Sequence, residues 1–135
     1  MNVQTAIEKL ALAGPSSFHV LDAAKAARLN GKTMFIPSPD DVAHAIRAIP
    51  KGSTRTVAQL RKDLAALAHA DTACPAATIK YWKWLALVSD SLAHADANAC
   101  IPWLRVLKDG KPSRHMPGGI AEQLVRLKAE GVVLQ

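Results

Sequence analysis

Helix starts and stops recur at short intervals along this chain, and they divide it into several helices, most of them short. Ser38 offers the hydroxyl of an N-cap, Pro39 suits the first helical position, and Asp40 and Asp41 complement the positive helix end. Val42, Ala45, Ile46 and Ile49 then make an apolar stripe, and Pro50-Lys51-Gly52 stops it. Thr56 with Gln59 reads as a capping box ahead of Leu60, Leu64 and Leu67, in a helix expected to end near His69. Pro75 opens a longer helix, expected to reach about Ala93. It has Tyr81, Trp82, Leu85, Val88 and Leu92 on one side and Lys80, Lys83, Trp84 and Leu87 on another. An outer face with two lysines suits a DNA groove, and it equally suits a solvated face of a core helix. Residues 101–107 form a β-type run, and Lys108-Asp109-Gly110-Lys111 after it is a hairpin signal. Pro117-Gly118-Gly119 opens a last helix with Ile120, Leu124 and Leu127 on one face, closed by Gly131.

The expected fold is mainly α, a winged helix-turn-helix with a small β-hairpin wing. Residues 36–135 would form this domain, and residues 1–35 a helical extension with helices over 3–13 and 17–29. A length of 135 residues, half of them hydrophobic, fits a single core. No run of ~18 apolar residues is present, so no membrane partner is expected. The N-terminal stretch lacks the basic-then-apolar layout of a secretory signal, and a cytoplasmic location is expected. The formal charge of +6 favours a polyanionic partner. Its distribution is more telling than its size. Arg105, Lys108, Lys111, Arg114 and His115 cluster against the single acid Asp109, and Lys51, Arg55, Arg61 and Lys62 form a second group.

Two segments, Ile49-Pro50-Lys51-Gly52 and Ile101-Pro102-Trp103-Leu104-Arg105-Val106, carry a family resemblance. With Gly118-Gly119 and Glu130-Gly131 at matching spacing, they resemble the DNA-binding domain of the O6-alkylguanine-DNA alkyltransferases. The chain is also similar to the alkyltransferase-like proteins and their shorter bacterial relatives. The resemblance covers about residues 36–131. In that family a Pro-Cys-His-Arg-Val loop holds the cysteine that accepts the alkyl group. It works as a thiolate helped by the histidine, a water and the glutamate of the last helix. Here the cysteine position is Trp103 and the histidine position Leu104, and Glu130 alone remains. An indole cannot take an alkyl group by displacement at neutral pH, and leucine cannot relay a proton. The resemblance therefore implies a chain that is not an enzyme and needs no cofactor.

Alkyltransferase-like proteins flip an alkylated guanine out of the duplex, hold it and recruit nucleotide excision repair, and the resemblance implies the same partners here. Flipping costs a few kcal/mol, least for a damaged base, and stacking on an aromatic wall recovers part of it. Trp103, Leu104, Met116, Pro117, Gly118, Gly119 and Glu130 would surround the base, with Met116 and Pro117 in place of the family's tyrosine and serine. Trp103 has a plainer reading as a core or loop-anchoring side chain. Double-stranded DNA would meet Thr56, Val57, Ile79, Lys80, Lys83, Trp84, Arg105, Lys108, Lys111 and Arg114. Val57 stands where the family has a tyrosine that helps rotate the nucleotide. Ile79 or Lys80, depending on a one-residue shift, stands where an arginine fills the gap in the stack. Thr56 is expected to cap its helix and Arg105 to tie its loop. Lys108, Lys111 and Arg114 should meet phosphates, which give affinity without sequence reading.

Three rival readings start from the same residues. The segment from Leu67 to Cys74 recurs almost literally from Leu92 to Cys100, supplying His69, Asp71, Cys74, His94, Asp96 and Cys100 as conceivable zinc ligands. Their spacing matches no zinc finger, and no metal is expected. Cys100, three residues before Trp103, could carry residual methyltransferase activity, although no neighbouring base activates it. The same fold with a degenerate pocket could also serve as a regulatory or scaffolding DNA-binding module.

Overall fold

The computed structural model describes residues 1–92 and 100–134. Six α-helices and two small sheets occur among these residues, a mixed but mostly helical fold. The helices are α1 (Val3–Leu12), α2 (Ala23–Leu29), α3 (Pro39–Arg47), α4 (Val57–Leu67), α5 (Pro75–Leu92) and α6 (Gly119–Ala129). The strands are β1 (Ser17–Val20), β2 (Thr33–Ile36), β3 (Arg55–Thr56), β4 (Thr72–Ala73) and β5 (Val106–Leu107). No helix among the described residues is long and apolar enough to cross a membrane.

The caps anticipated from residue type are formed. Ser38 accepts from the Asp41 amide while Asp41 accepts from the Ser38 amide, and Thr56 and Gln59 do the same for α4. Each box satisfies two of the orphan donors that open a helix. With its ends fixed, α3 buries Val42, Ala43, Ala45 and Ile46, and α4 buries Val57, Leu60, Leu64 and Ala65. Both packs meet α5 across a core that includes Phe35, Tyr81, Trp82, Ile101, Trp103 and Val106. The expected end of α5 at Ala93 lies outside the described residues.

The first 36 residues do not stand apart. The helix expected over residues 17–29 is instead the edge strand β1 followed by α2. Asp22 is the N-cap of α2 and accepts from the Lys25 amide at 2.9 Å. The first part of the expected helix pairs with β2 instead, antiparallel from Ser17↔Ile36 to Val20↔Thr33. The strand β2 also pairs in parallel with β4, which leads into α5, so the boundary expected at residue 35 falls within a sheet. Helix α1 packs along α5.

One carboxylate locks this sheet to the connection between α4 and α5. Asp71 accepts from the amides of Lys32 (2.9 Å) and Thr33 (3.1 Å), and the Thr33 hydroxyl accepts from the Asp71 amide. Gly31 is required beside it, because a Cβ there would lie 2.8 Å from the Asp71 Cβ. The amides of Lys32 and then Thr33 hold the Asp71 carboxyl below its ordinary value of 3.8. A depressed carboxyl stabilises the fold above its unfolded pKa and loses that contribution as pH falls through its folded one. Asp71→Asn is thus expected to lower the melting temperature at pH 7. The gap to wild type should close as the pH drops below about 4; a gap that stays constant down to pH 2 would exclude this role.

Candidate nucleic-acid interface

The segment from Ile101 to Lys111 departs from the β-type run expected there. Pro102 lacks an N–H for a ladder, and Trp103–Arg105 winds into a 3-10 turn instead. Only Val106 and Leu107 are extended, and they pair in parallel with Arg55 and Thr56 of β3. The turn itself forms as anticipated. Lys108 and Lys111 exchange backbone hydrogen bonds of 2.9 Å around Asp109 and Gly110, both at positive φ. Lys108, Lys111 and Arg114 are all exposed.

A buried amide clasps this segment to α6. Gln123 is 0% exposed, donates to the carbonyls of Leu104 and Val106 (both 2.9 Å), and accepts from the Ser113 amide at 3.0 Å. This corrects the apolar face expected for α6. Ile120 and Leu124 are 47% and 39% exposed, and Gln123 with Leu127 faces inward instead. A polar residue inside a helix gives no hydrophobic periodicity to find. Gly118, at φ +76°, starts this helix where a Cβ would lie 2.6 Å from Glu122 Cβ.

Arg105 acts as the tie expected of it. Its Nε and Nη2 donate to both Glu130 oxygens (2.9 and 2.8 Å), and its Nη1 donates to the Ile49 carbonyl at 2.7 Å. Their side chains are 15% and 16% exposed. Glu130 is therefore engaged with a cation, and Leu104 beside it offers no proton carrier.

Trp103 does not wall an open pocket. It is 2% exposed within the core, with the Arg126 guanidinium 5.1 Å from its ring and its carbonyl accepting from Trp82 Nε1 at 3.1 Å. Its large apolar surface packs inward, as the plainer reading of this residue held. Val57 is likewise interior at 5% exposure. Of the Ile79/Lys80 pair, Ile79 packs against the core and Lys80 is exposed, its Nζ 5.5 Å from the Trp84 ring and 4.9 Å from that of Tyr81.

The open cleft lies next to these residues. It has a volume of about 330 Å³ and is lined by Met1, Lys83, Trp84, Leu87, His115, Met116 and Pro117. That is the lower end of small-ligand pockets, ~300–1,000 Å³. Trp84 is held edge-on to Tyr81 at 5.7 Å, and Lys9 of α1 lies 5.6 Å from its ring. Lys83, partial desolvation and Arg114, in that order, push the His115 pKa below 6.5, so a positive field covers the rim. The cleft thus joins a stacking wall to a cationic edge. Of the residues expected around a base, Met116 and Pro117 line this cleft, and Trp103, Leu104, Gly118, Gly119 and Glu130 do not; Lys83 and Trp84, expected to meet the duplex, line it as well. Leu87 and His115 join them, the latter flagged in the sequence only as part of a basic cluster.

Cys100 does not line this cleft, and its Sγ donates to the Ser89 carbonyl at 3.2 Å. In the repeated segment, Asp71 is occupied by amides, and His94 and Asp96 lie outside the described residues. No family model, curated protein or solved structure matches the chain.

Removing the clasp should be costly. Gln123→Ala removes a partner from the buried Val106 carbonyl, the buried Ser113 amide and the half-buried Leu104 carbonyl, at about 1–3 kcal/mol for an unsatisfied buried group. A loss of roughly 3 kcal/mol in total is expected by urea denaturation. A change under about 1 kcal/mol would mean that water replaces the side chain.

Proposed function

We propose that this chain is a non-catalytic DNA-binding protein. In this reading α4 and α5 are the helix-turn-helix, with α5 entering a groove, and the Lys108–Lys111 turn is the tip of the wing. An extrahelical base, alkylated guanine above all, enters the cleft between α5 and residues 115–117, where it is held and flagged for nucleotide excision repair. The observation that carries the reading is the cleft itself: an indole wall at Trp84 beside Lys83, Arg114 and His115. Stacking suits a base, and the cations suit its phosphates. The replaced cysteine and histidine, with Glu130 tied to Arg105, support binding without alkyl transfer.

A second reading is favoured by the burial of Trp103. That indole fills the interior and does not line the cleft, and the chain would then bind duplex without lesion preference, as a regulatory or scaffolding module. Anisotropy titrations of O6-methylguanine and undamaged duplexes separate the two. Tighter binding of the damaged duplex, weakened by Trp84→Ala, is expected from lesion holding. Lys80→Ala with Lys83→Ala should weaken both duplexes and lower the salt slope by about 2. No binding at low salt would end every DNA reading. Trp103→Ala is a poor probe, because it opens a core cavity at a cost of about 3–5 kcal/mol.

His115 supplies a further check with a defined sign. In the free protein Lys83 and Arg114 disfavour its proton, so it is mostly neutral at pH 7. A phosphate at the rim favours the proton, so binding takes one up and affinity rises as pH falls through the bound-state pKa. Each unit of difference between free and bound pKa is worth up to about tenfold in affinity. His115→Ala should flatten the profile between pH 8 and 5.5; an unchanged slope would remove His115 from the interface.

A further inference from the structure

Helix α2 lies outside the segment that suggested DNA binding, yet it borders both helices of the proposed helix-turn-helix. Lys25 and Arg28 line a cleft of about 480 Å³ together with Leu29, Met34, Pro75 and Ala76. Pro75 and Ala76 begin α5, so these two cations flank the N-terminal end of the helix that carries Lys80 and Lys83. A second depression of about 200 Å³ continues from Leu29 and Asn30 at the end of α2 to Ala58 and Lys62 on α4. Lys25, Arg28 and Lys62 are exposed, and none is in an ion pair among the described residues.

The acids and the other cations nearby are already committed. Asp71 lines the second depression but is bound to the amides of Lys32 and Thr33, and Asp22 caps α2. Arg61 donates to the Ala73 carbonyl and the Thr72 hydroxyl, and Arg55 is paired with Asp63. Two uncommitted cations, Lys25 and Arg28, therefore border the start of α5, whose helix dipole adds to the same sign, and a third, Lys62, lines the adjoining depression. The floor of the larger cleft is apolar at Leu29, Met34, Pro75 and Ala76, which suits the faces of deoxyribose between phosphates.

We propose that α2 is a second DNA-contacting element, in which Lys25, Arg28 and the adjacent Lys62 of α4 carry the sugar-phosphate strand passing the N-terminal end of α5. This rests on α5 being the helix that enters the groove. It gives residues 1–36 a role beyond packing and lengthens the footprint on the side opposite in sequence to the wing. These are backbone contacts, so they raise affinity and salt dependence without selecting a base.

The test is the salt dependence of anisotropy titrations with the full chain and an undamaged duplex. Lys25→Ala with Arg28→Ala should bind about tenfold more weakly at ~100 mM salt and lower the log–log slope by about 2. Arg47→Ala with Lys128→Ala removes the same charge from exposed residues that line neither cleft, and it should leave the slope unchanged. Lys25→Arg with Arg28→Lys should bind as wild type. Circular dichroism checks that each variant is folded. The proposal is overturned if the α2 variant behaves like the Arg47/Lys128 control while Lys80→Ala with Lys83→Ala still loses affinity; α5 then contacts DNA without α2. Failure of the wild-type chain to bind at low salt would overturn both assignments.

Discussion

Arg105 holds three parts of the chain at one point. Its guanidinium reaches the segment just after α3 through the Ile49 carbonyl and the end of α6 through both oxygens of Glu130, while its own backbone leads into β5. A largely buried ion pair is a weak source of net stability, because desolvation offsets most of the attraction. Its contribution is registration. A planar, forked donor bound at three positions fixes where β5 begins, and so where the turn at Asp109-Gly110 and the segment through Pro117 must lie. Gln123 repeats the constraint on either side of Arg105, gripping the Leu104 and Val106 carbonyls and the Ser113 amide. Between them the two side chains set the loop that faces Trp84 across the cleft.

Local chemistry was legible in the sequence wherever a residue type answers a backbone need on its own. Ser38 and Thr56 cap their helices as their side chains predict, and Asp109-Gly110 makes the tight turn that its positive φ angles require. What the sequence hides depends on partners distant in the chain. The helix expected from Ser17 begins only after Asp22, because Ser17–Val20 pairs with Thr33–Ile36. The parallel rung of Val106 on Arg55 leaves no mark in a two-residue strand. Gln123 is read as surface by every hydrophobic pattern, yet it is wholly buried because three unpaired backbone groups surround it.

The site shows the same division. Which residue types replace the reactive cysteine and histidine is plain from the sequence, and so is the loss of the chemistry they would supply. Which aromatic ring meets the solvent is not. Trp84 follows Lys83 directly and Trp103 lies two residues before Arg105, so a nearby cation does not tell the two rings apart. The interior accepts Trp103 because its backbone carbonyl takes the Trp82 indole N–H and its ring lies beneath Arg126. That leaves Trp84, braced by Tyr81, as the ring at the cleft.

Under the proposed reading this exchange of rings changes how a lesion would be selected. A deep pocket can discriminate by fitting the alkyl group, although even there one methylene in an apolar site is worth only about 1–3 kcal/mol. An open surface cleft walled by Trp84, Leu87, Met116 and Pro117 would surround the alkyl group less completely and gain less from it. Selection then shifts to the cost of extrusion, which is lowest for a base that is already poorly paired. Such a protein would report weakened pairing more than a specific substituent, and its affinity would come chiefly from cations along the backbone. That division of labour suits a chain whose uncommitted lysines and arginines border α5 while its cleft retains no nucleophile of the family's kind.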